Sequence, residues 1–310
     1  MGVTFRELRE TCQLPVRSGN DVAGLLFGDH ASLPLTKLWI DLRLSPDVAT
    51  VGMLVTGLVG SGLQLLSGGW MVLGAALLVL YYVLDCVDGE VARFRRVENI
   101  KWGYYEYLFH MLVKPVSFVA VGYALTRELG SPLFLLAGAS GAVAALWLKL
   151  FVDLPAIQFV HGVIGPPPGK DRAFRRYAEE HPVLRQALAD RPADPRRDSG
   201  RAAEASSGGG FPLGLNLVTL RALGTNFDVG LLLLLGATTA DLWLAPFALP
   251  GLGATTCRGA WMLWYGLILP LDFLDYLRTY LSKGHFPREM ARMLTLAHHF
   301  QSPPPDDTPA

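Results

Sequence analysis

Charged residues are scarce in this sequence. Asp, Glu, Lys and Arg make up 17% of its 310 residues, against about 25% in an average soluble domain, and the mean hydropathy is +0.32. Some stretches carry no charge at all, and residues 48–66 form one of them. This shortage excludes an ordinary soluble enzyme and a disordered chain. It predicts an integral membrane protein.

Other features are missing as well. Neither sign of charge is in excess, because 27 basic residues balance 27 acidic ones, and this argues against a nucleic-acid partner. The three cysteines, Cys12, Cys86 and Cys257, are too far apart for a disulfide framework or a metal-binding spacing. Charged residues interrupt the first 33 positions, so no signal-peptide core is recognised there. We therefore expect the membrane spans themselves to direct insertion.

Six apolar segments are predicted to be transmembrane helices, because about 20 apolar residues in a helix cross the hydrocarbon core. They are residues 48–66, 70–84, 102–126, 132–152, 218–240 and 255–277. The fifth has the least defined limits, since Asp228 lies inside it. The predicted fold class is an all-α, polytopic membrane protein with six spans.

The distribution of basic residues predicts the orientation. Six spans place both termini, the 93–101 loop and the 149–221 stretch on one side, and that side carries every Lys and Arg except Lys114, Arg127 and Arg258. Because basic loops remain in the cytoplasm, both termini are predicted to be cytoplasmic. Arginine outnumbers lysine by 21 to 6, and on this ground we expect a bacterial cytoplasmic membrane.

The chain divides into three parts on composition. Residues 1–45 form a cytoplasmic segment, in which Leu and Trp recur at helical spacing over 34–44. This pattern favours an amphipathic helix on the membrane surface, although a lead-in loop is the alternative. Residues 46–281 hold the six spans and a cytoplasmic insertion, 153–212, which is rich in Pro, Ser, Gly and charge and is predicted to be partly disordered. Residues 282–310 form a cytoplasmic tail.

Ionisable residues inside the spans are the best indication of function, because each costs about 2.5–3.5 kcal/mol in hydrocarbon. Asp85, Asp88, Gly89 and Ala92 share one face of the second helix, and Arg93 follows. The small residues among these acids leave space for a ligand or a neighbouring helix to approach the backbone.

The third helix carries a matching polar stripe. Glu106, His110 and Lys114 fall on one face, and the short 93–101 loop makes the two helices antiparallel neighbours. Carboxylates and an imidazole that converge in this way indicate a divalent-metal site with a nearby base, and hard oxygen ligands favour Mg²⁺ or Mn²⁺. The alternative is a purely structural cluster of salt bridges, in which Asp85 and Asp88 pair with Arg93 and Lys114.

The motif Asp85-x-x-Asp88-Gly89-x-x-Ala92-Arg93 resembles the first half of the CDP-alcohol phosphotransferase signature. That signature reads D-x-x-D-G-x-x-A-R, then eight residues, then G-x-x-x-D-x-x-x-D. The six-helix layout, the surface helix and the Ser45-Pro46-Asp47 entry to the first span are also similar to the family. The resemblance extends over about residues 34–281, without residues 166–211 of the insertion.

The second half of the signature differs. The third and fourth aspartates of the family fall on Glu106 and His110, and Trp102 stands at the glycine position, with Gly103 one residue later. A shift of one residue turns a helix by about 100°. The match is therefore complete only for the first half.

The resemblance implies a displacement at phosphorus. A CDP-linked donor, with CDP-diacylglycerol favoured, would transfer its phosphoryl unit to an alcohol acceptor and release CMP, in the setting of phospholipid biosynthesis. Asp85, Asp88 and Glu106 would bind Mg²⁺ or Mn²⁺, and His110 would be the base. Gly89 and Ala92 would admit the nucleotide, and Arg93 would contact its phosphates. Lys114 and Asp228 could contact the acceptor or a phosphate.

Two other interpretations are open at this point. A catalytically silent family member would bind nucleotide or lipid without turnover, and a transporter would use the acids as an intramembrane site. A homodimer is also possible, since Gly57-x-x-x-Ser61 could pack helices within or between chains.

Overall fold

The computed structural model describes residues 3–14, 23–96, 100–159, 224–251 and 253–282. The predicted insertion beyond residue 159 and the predicted tail beyond residue 282 lie outside this part of the chain. The described residues form eight α-helices, two π-helical turns and one small hairpin. They are mostly helical, as predicted.

The N-terminal segment begins with α1, Phe5–Leu8, which continues as a π-helical turn, Arg9–Gln13. A second π-helical turn, Gly24–Gly28, leads into α2, Asp29–Asp41. The remaining helices are α3 Pro46–Leu63, α4 Gly69–Arg95, α5 Ile100–Leu129, α6 Leu133–Phe159, α7 Phe227–Ala240 and α8 Cys257–Ser282. Between α7 and α8, strands β1 (Phe247–Leu249) and β2 (Gly253–Thr255) pair antiparallel.

The hairpin corrects the all-α prediction in one detail. Its turn contains Pro250 and Gly251, and Gly251 and Gly253 have φ values of +77° and +81°, which glycine adopts without steric cost. Three residues on each strand are too few to produce a visible alternation in the sequence.

Four helical stretches among the described residues are long and apolar enough to cross a membrane. They are Pro46–Leu63, Gly69–Arg95, Tyr104–Leu129 and Leu133–Phe151. They coincide with the first four predicted spans. Large apolar side chains such as Val55 and Leu136 are more than half exposed on them, as expected for lipid-facing positions. The chain is therefore built as an integral membrane protein.

The chain separates into two compact units. The first contains residues 1–146 and 212–272, and the second contains residues 147–211 and 273–310. Aromatic side chains pack within the second unit, where the Phe273 ring lies 5.4 Å from that of Phe151 and 6.2 Å from that of Trp147. Every residue of the candidate site belongs to the first unit.

Helix α3 begins where the sequence allows a helix to begin. Pro46 occupies the first turn, after Ser45 in an extended conformation, and Asp47 places a carboxylate near the positive end of the helix dipole. Further along, a Cβ on Gly60 would lie 2.8 Å from the Gly74 carbonyl. Only glycine permits this approach, which presses α3 against α4.

The Gly57-x-x-x-Ser61 pattern packs within the chain. A Cβ on Gly57 would lie 2.6 Å from Val113 of α5, and the buried Ser61 hydroxyl donates to the Gly57 carbonyl at 2.8 Å. Gly57 therefore lets α3 pack closely against α5, and the Ser61 hydroxyl is satisfied within α3. The possible homodimer stays a prediction.

Helix α2 exists where the amphipathic pattern predicted it, but the predicted start at residue 34 was wrong. The helix begins five residues earlier and contains Pro34. Leu35 and Trp39 pack against a small core of Ala49, Val87 and Val91. Contacts of its first turns with α4, described below, stabilise the helix before the proline, and the sequence pattern alone does not show such contacts.

Candidate metal centre and active site

The two polar faces predicted from the sequence meet in the structure. Asp85 of α4 and Glu106 and His110 of α5 each place one ligand atom within 4.8 Å of the other two. All three side chains are partly buried. Two helices therefore converge on one small cluster with two carboxylates and an imidazole.

His110 has contacts at both ring nitrogens. Nε2 lies 2.9 Å from Oδ1 of Asp85, and Nδ1 lies in hydrogen-bond contact with the Tyr81 hydroxyl. A neutral ring that donates from Nε2 to the carboxylate and accepts at Nδ1 from tyrosine satisfies both contacts. His110 can therefore accept a proton from a substrate only when one of these contacts is exchanged for the substrate.

Sequence reasoning missed Tyr81. It is fully buried and stands four residues before Asp85, so it lies on the same face of α4. A tyrosine one turn from the first motif aspartate was the available signal. Nothing in the sequence indicated that its hydroxyl would face an imidazole.

Asp88 does not belong to the converging set of three. It is only 6% exposed and accepts a hydrogen bond from Oγ1 of Thr50 in α3, at 3.0 Å. The negative charges of Asp85 and Glu106 nevertheless act on it. Three carboxylates thus share one electrostatic environment, which a bound cation would stabilise.

Gly89 and Arg93 form one local arrangement on the next face of α4. A Cβ on Gly89 would lie 3.1 Å from Nη1 of Arg93, so the arginine guanidinium crosses the space that the glycine leaves. Nε of Arg93 donates to the Cys12 carbonyl at 2.8 Å. Ala92 is partly exposed beside them.

Lys114 and Asp228 pair with one another. Nζ of Lys114 lies 3.9 Å from Oδ1 of Asp228, and it also lies 5.0 Å from the centre of the Phe227 ring. The contact joins α5 to α7. It differs from the salt bridges expected for a purely structural cluster, in which Lys114 would pair with Asp85 or Asp88.

Glu90 is a second residue that sequence reasoning missed. It follows Gly89 in the motif, yet it is 2% exposed and its carboxylate accepts three hydrogen bonds. Oε1 accepts from Gln13 and Ser32 at 2.7 Å each, and Oε2 accepts from Thr36. The available signal was the i, i+4 spacing of Ser32 and Thr36, which places two hydroxyls on one face of α2.

The residues present fit a divalent metal ion. Carboxylate oxygens are the ligands that Mg²⁺ and Mn²⁺ prefer, and the cluster concentrates them at partly buried positions. Ligands of one such ion, each at about 2.1 Å, lie at most about 4.2 Å apart. The ligand atoms of Asp85 and Glu106, which lie within 4.8 Å of one another, are therefore close to the spacing of two carboxylate ligands on one ion.

Comparison with protein-family models finds no model that matches this chain, and a search of curated proteins finds no match either. The case for a function consequently depends on the motif and on the geometry of the cluster.

Proposed function

We propose that the protein is a membrane transferase of the CDP-alcohol phosphotransferase type, which moves a substituted phosphoryl group from a CDP-linked donor to an alcohol and releases CMP. The convergence of Asp85, Glu106 and His110 carries this proposal. The cluster brings two carboxylates and an imidazole together, and Asp85 is the first aspartate of the D-x-x-D-G-x-x-A-R motif.

Each residue of the cluster has a role in this proposal. Asp85, Asp88 and Glu106 would bind Mg²⁺ or Mn²⁺, which neutralises the donor pyrophosphate and the leaving CMP when bound. His110 would take the proton of the attacking hydroxyl, because a neutral imidazole suits that role near neutral pH. Arg93 would bind a phosphate oxygen of the donor.

The acceptor would approach from the side of Lys114 and Asp228. Their contact of 3.9 Å is longer than a charge-assisted hydrogen bond, so an incoming polar group can exchange with it. Lys114 would then bind a phosphate, or Asp228 a hydroxyl, of the acceptor. CDP-diacylglycerol is the favoured donor, since the cluster lies on helices that face lipid.

The proposal includes six spans with both termini and the active site on the cytoplasmic side of a bacterial membrane. The supporting observation is the charge distribution, together with the further apolar helix α7. Helix α7 is about 21 Å long at 1.5 Å per residue, and the predicted fifth span also includes residues 218–223, which lie outside the described residues. Labelling of single cysteines from each side of vesicles tests this topology.

The decisive experiment is a measurement of CMP release. Purified protein in lipid is offered CDP-diacylglycerol, CDP-choline and CDP-ethanolamine with pooled alcohols, with and without Mg²⁺ or Mn²⁺. We expect metal-dependent CMP from one donor and none from the Asp88→Asn variant. Nucleotide binding without CMP would instead support the silent binder. Passage of a substrate across proteoliposomes without CMP would support a transporter.

A further inference from the structure

The N-terminal segment reaches the polar end of α4 through two residues of its first π-helical turn. Cys12 and Gln13 are both buried. The carbonyl of Cys12 accepts from Nε of Arg93, and the side-chain amide of Gln13 donates to Glu90. Two neighbouring residues of the segment thus contact two residues of the motif, 77 or more positions away.

Hydrogen bonds of the neighbouring Gln13 hold the Cys12 carbonyl in place. Nε2 of Gln13 donates to Oε1 of Glu90 at 2.7 Å and to the Asp29 carbonyl at 2.6 Å. Glu90 is in turn bound by hydroxyls of α2. Because backbone atoms of adjacent residues move together, these hydrogen bonds also fix the carbonyl that Arg93 contacts.

The contact orients the arginine without using its whole binding capacity. Nε–H points to Cys12, while Nη1 and Nη2 lie over Gly89 and take no part in that hydrogen bond. Gly89 follows Asp88 and stands one turn after Asp85. The two Nη groups therefore lie over the motif glycine, one turn from Asp85 along α4, and keep the fork geometry that binds phosphate oxygens.

We infer that the N-terminal segment is part of the donor site, and that Gln13 and Glu90 are positioning residues that hold Arg93 toward a phosphate oxygen of the nucleotide. This inference deepens the proposed function and rests on it for the identity of the ligand. The segment then raises the affinity for the nucleotide, because an arginine that is already oriented loses less side-chain freedom on binding.

The test is a double-mutant cycle on the affinity for CDP in the presence of Mg²⁺, measured by calorimetry on the full chain. Gln13→Ala removes the amide, Arg93→Ala removes the guanidinium, and the double variant combines them. We expect Gln13→Ala to weaken CDP binding on the order of tenfold. In the Arg93→Ala background the same change should have no further effect, because Gln13 acts through the arginine.

Gln64→Ala is the matched control. Gln64 is also fully buried in the same unit, and its amide donates to the Met71 carbonyl at 2.7 Å, so its loss reports the general cost of a buried amide. We expect its CDP affinity to match that of the unaltered protein. An equal loss of affinity in Gln64→Ala, or a Gln13 effect that persists without Arg93, would overturn the inference.

CDP affinity and CMP release are measured separately, so failure of this inference can be distinguished from failure of the proposed function. Protein that binds CDP but releases no CMP from any donor contradicts the transferase while leaving the cycle interpretable. Unaltered protein that binds no CDP contradicts the inference itself. CMP release with a Gln13→Ala variant of undiminished CDP affinity overturns the inference and leaves the transferase standing.

Discussion

His110 and Asp85 join α5 to α4 through a contact of 2.9 Å between Nε2 and Oδ1. The imidazole is thereby fixed beside the carboxylates that would bind the metal, with Tyr81 on its other nitrogen. A base held in this way has a defined orientation before substrate arrives.

Replacement of His110 by alanine tests the assignment of the base. We expect the rate of CMP release to fall about 10²- to 10⁴-fold, the usual contribution of a general base. His30→Ala is the matched control, since His30 is exposed on α2. A His110→Ala protein with an unchanged rate and pH profile would show that the base lies elsewhere.

Glu90→Ala tests the polar network beneath the N-terminal segment. The change removes the acceptor of three buried donors, so we expect the free energy of unfolding to fall by at least about 1.5–3 kcal/mol, the value of one hydrogen bond to a charged group. Thermal unfolding in detergent measures the effect. Glu7→Ala, at an exposed position of α1, should leave Tm unchanged, and an equal Tm for both variants would contradict the network.

Glu128→Gln tests whether the Arg258–Glu128 ion pair contributes to stability without affecting donor binding. Arg258 is 1% exposed, and its Nη2 lies 2.5 Å from Oε2 of Glu128. Loss of the carboxylate leaves a buried cation without its counter-charge, which we expect to cost about 1–3 kcal/mol, since Glu128 itself is partly exposed. The donor KM should not change because the pair lies outside the cluster. A raised KM in a protein of normal Tm would contradict this division.

Cys12 gives a prediction on pH. Burial, with a smaller contribution from the charge of Glu90, raises the pKa of the thiol from 9.0 to about 11. The folded chain therefore favours the protonated thiol, and the stability that this difference provides is present below pH 9 and is lost as the pH rises to about 11. We expect slow maleimide labelling of Cys12 at pH 8, followed by mass spectrometry, with the denatured protein as the fast control. Labelling at the same rate as in the denatured protein at pH 8 would show that Cys12 is not buried in the folded chain.

Local periodicity accounts for what the sequence could predict. The first four spans, the existence of α2 and the acid faces of α4 and α5 all follow from helical spacing and hydropathy. Residues such as Asp85 and Glu106 are informative because a carboxylate inside an apolar span costs free energy, which a function or a partner has to offset.

Contacts between distant residues account for what it could not predict. Gln13 and Glu90 are 77 positions apart, so neither the buried network nor the early start of α2 is visible in a local pattern. The same holds for Tyr81 at Nδ1 of His110 and for Lys114 with Asp228, whose helices meet only in the folded chain.

The most direct test of the account compares CMP release by the unaltered protein with that of Asp85→Asn and Asp41→Asn, at one productive donor and a series of Mn²⁺ concentrations. Asp41 is an exposed carboxylate that pairs with Lys37 at 2.6 Å on α2, so its replacement controls for the loss of one charge. The account predicts full, metal-dependent activity in Asp41→Asn and at least a hundredfold loss in Asp85→Asn, in line with the weight of one preorganised electrostatic contact. Equal activity of the two variants would contradict a metal centre that uses the Asp85 carboxylate.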